Sequence, residues 1–153
     1  MLKWLVIGVG DITTKRVLPA IRAEPRSALM GIVSRNPKKA EPYRVSCWTE
    51  LSLALAESGA DAVYVASPVF LHAPQTIECL RAGRHVLCEK PVAMNYAEAC
   101  SMVQAATEAD RILGIAYYRS LYPKVNRARE LMAAGAIGQP VFAEATPIPG
   151  SNL

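Results

Sequence analysis

Apolar residues gather in five short runs, over residues 2–9, 28–34, 62–66, 85–88 and 112–117, with segments of helical composition over 13–23, 49–58, 74–82 and 96–109 between them. That alternation predicts βαβ units and a parallel sheet. The runs are almost continuously apolar, as strands covered on both faces must be. Gly59 and Gly83 stand where two helices should stop, and Asn95 followed by Glu98 reads as the capped start of the helix over 96–109. Pro19 falls inside the first helix and predicts a kink or an early break there. The charged stretch 35–44, with Pro37 and Pro42, predicts a short helix or a surface loop. A last helix over 122–135, in which Ala128, Leu131 and Met132 can share a face, is followed by Gly138, Pro140, a final β-like run over 141–145 and a tail that reads as a linker or a cut end.

Length and composition narrow the class. The 153 residues, 52% of them hydrophobic, suit an α/β globule of one domain. No run reaches the roughly 18 apolar residues of a membrane span, and the N-terminal MLKWLVIGVG meets glycine too early for a secretion signal. A soluble cytoplasmic protein with no membrane role is expected. Cys47, Cys79, Cys88 and Cys100 have no C-x-x-C spacing and no histidines at metal-ligand intervals, so neither a metal site nor a disulfide framework is predicted. The net charge of +4 is spread along the chain, without basic blocks or interleaved aromatics. That pattern argues against nucleic acid and suits an anionic small ligand.

The most specific chemistry lies at the end of the run His85-Val86-Leu87-Cys88, which finishes in Glu89-Lys90-Pro91. Charge at the edge of a core costs several kcal/mol unless something compensates it. In open α/β sheets small molecules bind just beyond the carboxyl ends of the strands, where this pair would sit. A solvated ion pair at a strand end is the competing reading. A second signal is Gly8-Val9-Gly10-Asp11-Ile12-Thr13, between the first strand and the first helix, which is the context of a dinucleotide phosphate turn. Gly8 would permit the tight turn, and Gly10 would let backbone approach a pyrophosphate at the helix start. Thr13 takes the third small position, so helix and strand are expected slightly further apart. Asp11 should point away from phosphates; in a plain strand-to-helix turn it is merely a cap.

Together, Gly8-x-Gly10, Ser67-Pro68 followed by His72, the run from His85 to Pro91, and the late stretch from Arg127 to Gly138 resemble the glucose-fructose oxidoreductase and inositol dehydrogenase family, Gfo/Idh/MocA. The resemblance covers the chain from Met1 to about Ala145. It implies a doubly wound parallel α/β sheet, an NAD(P)-binding Rossmann fold, over residues 1–120. A helical segment over 121–138 would pack on it, and 139–153 would be a linker or the start of a second, substrate-binding α/β domain that this sequence does not include. Family members oxidise or reduce sugars, cyclitols and related hydroxyl or carbonyl compounds. By resemblance Lys90 is the catalytic residue, beside the nicotinamide, where an ammonium stabilises developing alkoxide charge and helps move the proton. Glu89 would orient it or touch the cofactor, and Pro91 would stiffen the strand exit.

The cofactor-binding set expected on these grounds is Gly8, Gly10, Asp11, Ile12, Thr13, Ser34, Arg35, Lys38, Ser67, Pro68, His72, Glu89 and Lys90. NADP is expected in preference to NAD. The second strand ends in Ile32-Val33-Ser34-Arg35-Asn36, with no acid to hold ribose hydroxyls. Ser34 can bond a 2′-phosphate, Arg35 can pair with it and stack on adenine, and Lys38 or Lys39 adds positive potential. The competing reading leaves Arg35 as a surface residue with both cofactors bound. His72 is either near the cofactor or satisfied by local backbone, whereas His85 reads as structural. Tyr117, Tyr118 and Tyr122 read as packing residues, although the resemblance matches the first two to family positions that face the nicotinamide side; Trp4 and Trp48 read as core or rim aromatics. An unpaired strand over 141–145 would be a sticky edge, so pairing with a second copy or disorder is expected, with a homodimer or a separately encoded partner completing the protein. A non-catalytic nucleotide-binding module and a plain interaction domain stand as alternatives to the enzyme.

Overall fold

The computed structural model describes residues 1–144. Six strands, β1 Leu2–Ile7, β2 Ser27–Val33, β3 Ser46–Trp48, β4 Ala62–Val65, β5 His85–Cys88 and β6 Leu113–Ile115, form one sheet in the order β3-β2-β1-β4-β5-β6. Every neighbouring pair is parallel. This is the doubly wound order, which reverses direction between β1 and β4 and opens a crevice at their carboxyl ends.

Alternation along the strands splits the core in two. Leu5, Ile7, Val63, Val65, Val86 and Cys88 point to one face, where they meet α2 Leu51–Glu57, α3 His72–Arg81 and α4 Tyr96–Ala109 through Ala54, Leu55, Leu80 and Met102. Val6, Ile32 and Tyr64 point to the other, against Leu18 and Ile21 of α1 Leu18–Ala23. Both faces need apolar side chains, which is why the runs show no clean polar alternation.

Local rules place most boundaries. β1 stops at Gly8, whose φ of +90° a side chain would strain and whose added Cβ would lie 2.6 Å from the Ala66 carbonyl oxygen. At the end of α3 the Gly83 N–H donates to Leu80 O and the Arg84 N–H to Cys79 O, the two bonds of a Schellman stop. Asn95 caps α4, its Oδ1 accepting from the Glu98 N–H at 2.9 Å, while a Glu98 carboxylate oxygen accepts from the Met94 N–H at 3.0 Å.

Several expectations change. The first helix does not break at Pro19: residues Thr13–Val17 form a wider π turn, with the Leu18 N–H reaching back to Thr13 O. Proline offers no N–H and its ring crowds the carbonyl four residues back, and the wider turn relieves both. β3 was not expected, because three residues with one aromatic leave no period to read. Gly31 makes room for it, since a Cβ there would meet the Trp48 ring and, at 2.8 Å, the Ser46 carbonyl oxygen. Residues 35–44 form two short 3₁₀ turns, Pro37–Lys39 and Glu41–Tyr43, around the buried Ala40. Residues 141–144 are not a strand, and Val141 and Phe142 are exposed. A strand is held by a neighbour's ladder, and none is formed here; Ala145 and the tail to Leu153 lie outside the described residues.

The chain divides into two compact units, Met1–Ala116 and Tyr117 onward. The first holds the whole sheet. The described part of the second holds the 3₁₀ turn Tyr118–Leu121 and α5 Pro123–Ala133, where Tyr118 and Tyr122 pack at 6.1 Å between ring centres and no helix residue is buried. Among the described residues no helix is long and apolar enough to cross a membrane.

Candidate functional site

Four strand ends meet at the crevice. Past the last strand residues the ladder continues through Gly8 N–H to Val33 O, Ala66 N–H to Ile7 O and Glu89 N–H to Val65 O, each at 2.9 Å. The glycine turn, Ser34, Ser67 and Glu89 are thereby brought to one edge of the sheet from widely separated parts of the sequence.

At the glycine turn Thr13 is fully buried, its hydroxyl accepting from the Gly10 N–H and donating to the Gly10 carbonyl, both at 2.8 Å. The third position therefore pins the turn, which a glycine there could not do. Asp11 is no cap. Its carboxylate pairs with Lys15 one helical turn on, at 2.6 Å and well exposed, and this partner, with a weaker pull from Lys39, holds it below the usual carboxylate range. Among the described residues nothing accepts from the Asp11 and Ile12 N–H groups. These free donors at a helix start, beside Gly10, which faces open space, fit a dinucleotide pyrophosphate.

At the end of β2 the Ser34 hydroxyl closes a tight loop, accepting from the Asn36 N–H at 3.2 Å and donating to the Asn36 carbonyl at 3.1 Å. Arg35 and Lys38 are exposed, and neither has a carboxylate partner among the described residues. Lys39, rather than Lys38, reaches the glycine turn: its Nζ donates to Val9 O at 3.3 Å. Sequence reasoning could not separate two adjacent lysines, because the choice depends on the direction of the 3₁₀ turn.

Beyond β4, the Ser67 hydroxyl donates to Gln75 Oε1 at 2.6 Å. His72 is 1% exposed, with Nε2 2.8 Å from Ser67 O and Nδ1 2.9 Å from Pro91 O. Of its two expected roles, backbone satisfaction is what the geometry has, although one of the two carbonyls comes from a distant turn. His85, at the opposite end of the sheet, accepts from the Ile112 N–H at 3.1 Å.

Glu89 and Lys90 form no ion pair, so the strand-end salt bridge is corrected. Glu89 is 6% exposed; its Oε1 accepts from the Tyr64 hydroxyl at 2.6 Å and its Oε2 from the Lys90 N–H at 3.1 Å. Lys90 is exposed, and no carboxylate among the described residues pairs with it. The reason is directional: consecutive residues leaving a strand point to opposite sides. The Lys90–Pro91 bond is cis. Tyr64 belongs to no motif, but one tyrosine in the run Ala62-Val63-Tyr64-Val65 is a signal, because a buried phenol needs a partner.

A parallel sheet in doubly wound order, with a glycine turn after its first strand and, after its fifth, an ammonium that pairs with no carboxylate among the described residues, is the arrangement of a dinucleotide-binding α/β domain. The family model for the oxidoreductase family with an NAD-binding Rossmann fold, Gfo/Idh/MocA, matches residues 2–117, and the chain belongs to that family. Its sequence is 36% identical over 137 residues to a dTDP-3,4-didehydro-2,6-dideoxy-alpha-D-glucose 3-reductase of Streptomyces violaceoruber, covering 87% of this chain and 40% of the relative. The WlbA dehydrogenase of Bordetella pertussis, solved with NADH and UDP-GlcNAcA, superposes with a TM-score of 0.83 at 30% identity, over 90% of this chain and 43% of that one. KijD10, a 3-ketoreductase of Actinomadura kijaniata solved with TDP-benzene and NADP, superposes with a TM-score of 0.82 at 31% identity, over 90% and 45%. The chain thus spans less than half the length of these relatives. The two solved relatives hold different nicotinamide cofactors.

Proposed function

We propose that this chain is the NADP(H)-binding part of an oxidoreductase that transfers hydride to or from a sugar, cyclitol or related hydroxyl or carbonyl compound. The observation that carries the proposal is Lys90. It is an exposed ammonium free of any described carboxylate partner, fixed at the carboxyl end of β5 in a domain of an oxidoreductase family. The nicotinamide ring supplies hydride chemistry when bound. Gly8, Gly10, Asp11, Ile12 and Thr13 hold the pyrophosphate through backbone at the helix start. Ser67 and Pro68 border the same cleft. Lys90 bonds the reacting oxygen, stabilises alkoxide charge and passes the proton. Relatives that act on or bind dTDP-, TDP- and UDP-linked compounds support a sugar-class substrate.

The NADP preference rests on the β2 end, where Ser34 rather than an acid follows Val33, and Arg35, Lys38 and Lys39 gather positive charge. Titrating NADPH and NADH by nicotinamide fluorescence tests both levels. Tighter binding of NADPH is expected; equal affinities remove the preference, and binding of neither removes the function. With substrate and the whole protein, Lys90→Met is expected to keep cofactor affinity while lowering turnover by about 100-fold or more, the scale of losing a positioned general acid.

A further inference from the structure

We propose that Tyr64 and His72 are positioning residues for Lys90, gripping the turn that carries it from two sides. The inference rests on Lys90 being the reacting lysine. On one side Tyr64, in an otherwise aliphatic buried strand, donates to Glu89 Oε1 at 2.6 Å, a short charge-assisted bond. The other oxygen of that carboxylate accepts the N–H of Lys90 itself at 3.1 Å. One buried carboxylate thus ties a side chain of β4 to the peptide of Lys90. No cation among the described residues neutralises it, so its oxygens are committed to this tie.

From the other side His72, buried in the first turn of α3, sets Nδ1 2.9 Å from Pro91 O and Nε2 2.8 Å from Ser67 O. Both neighbours are acceptors. A neutral ring donates to one of them and a charged ring to both, and either way the imidazole stands between the loop after β4 and the turn after β5. The Cys88 thiol adds a weak bond to Val92 O at 3.9 Å. Glu89, Pro91 and Val92 are therefore each held, and the side chain of Lys90 is the polar group of the turn left to act. Such fixing matters because misplacing a reacting group by about 1 Å can cost about 100-fold in rate.

Tyr64→Phe removes one oxygen and leaves the ring packing intact. Residue-resolved amide hydrogen exchange of the cofactor-free protein is expected to show Lys90 exchanging about tenfold faster, the scale of one lost buried bond, with Val63, Val65 and Val86 little changed. His72→Gln, which keeps an N–H donor, should protect the turn better than His72→Leu. In hydride transfer by the whole enzyme, Tyr64→Phe is expected to lower kcat about tenfold with the cofactor KM unchanged. Equal acceleration across β4 and β5, no acceleration at Lys90, a Gln variant no better than Leu, or a change in KM alone would each overturn the proposal. The exchange arm needs no cofactor, so it can succeed even where NADPH fails to bind, which separates this inference from the functional reading.

Discussion

The two ends of the cleft are built on opposite plans. At the β5 end, Tyr64, His72 and Glu89 are 7%, 1% and 6% exposed; Tyr64 of β4 meets Glu89 after β5, His72 bridges Ser67 O to Pro91 O, and Glu89 also accepts from the neighbouring Lys90 N–H. At the β2 end Arg35, Lys38 and Lys39 are exposed, and past the bond from the Ser34 N–H to Trp48 O the loop is closed by short-range bonds within residues 34–40 and by Lys39 on Val9 O. Bond making demands fixed geometry, which burial and cross-strand bonds supply. Attraction of a phosphate tolerates motion, because Coulomb energy falls off slowly with distance. Substitutions at the β5 end should therefore register in rate, and those at the β2 end in cofactor affinity.

Gly8→Ala should erase the contrast by damaging both ends, since Gly8 bonds Val33 on one side and lies against Ala66 on the other. Strain at its positive φ and the clash with backbone are expected to cost about 3 kcal/mol and to reduce cofactor affinity beyond about 100-fold, read by calorimetry and fluorescence titration. Gly31→Ala comes next. It crowds Trp48 and Ser46 beneath the β2 end, and about 1–3 kcal/mol of lost stability is expected in urea unfolding, with the NADPH to NADH affinity ratio kept.

Arg35→Ala should sharpen the contrast. We expect NADPH affinity to fall about tenfold while NADH affinity and Tm stay unchanged, as for one exposed charge-assisted contact. A fall in Tm would mean that the β2 loop is held more firmly than its exposure indicates. Lys39→Met should give a smaller loss in the same direction, about threefold, because its ammonium is shared with Val9 O.

The thiols offer the finest test. Burial raises the Cys47 thiol, and pushes Cys88 at the end of β5 to about 11 and Cys79 in α3 to about 12. At pH 8 a disulfide reagent should therefore label exposed Cys100 first, then half-buried Cys47, with Cys79 and Cys88 reacting only after unfolding. Both buried thiols have folded values above the ordinary 9.0, so the unfolded chain loses these protons first as pH rises. Their contribution to stability is complete below pH 9 and should decline from there toward pH 12, measurable as a falling urea midpoint.

What was legible from sequence follows from range. β5 and α4 coincide with their apolar and capping patterns, and the stops at Gly59 and Gly83 adopt φ of +58° and +77°, because these features depend on residues a few positions apart. The Glu89-Lys90-Pro91 motif and the glycine turn marked the family for the same reason. β3, the π turn and the missing strand over 141–144 were not legible: each is decided by a partner, a ring or a ladder that local pattern does not contain. The same holds for the contact of Lys39 with Val9 O and for the absence of an ion pair between Glu89 and Lys90.

The alternation of elements, the class of sheet and the family could be read from the sequence, since periodicity, turns and short motifs are local. Which buried polar groups stand together is set by the fold. The hydroxyl of Tyr64, the ring of His72 and the carboxylate of Glu89 meet because β4 and β5 are neighbours in register, Tyr64 opposite Leu87 and Val65 opposite Cys88. Buried polar groups must find partners wherever the fold brings them, and that search ends in space, not along the chain.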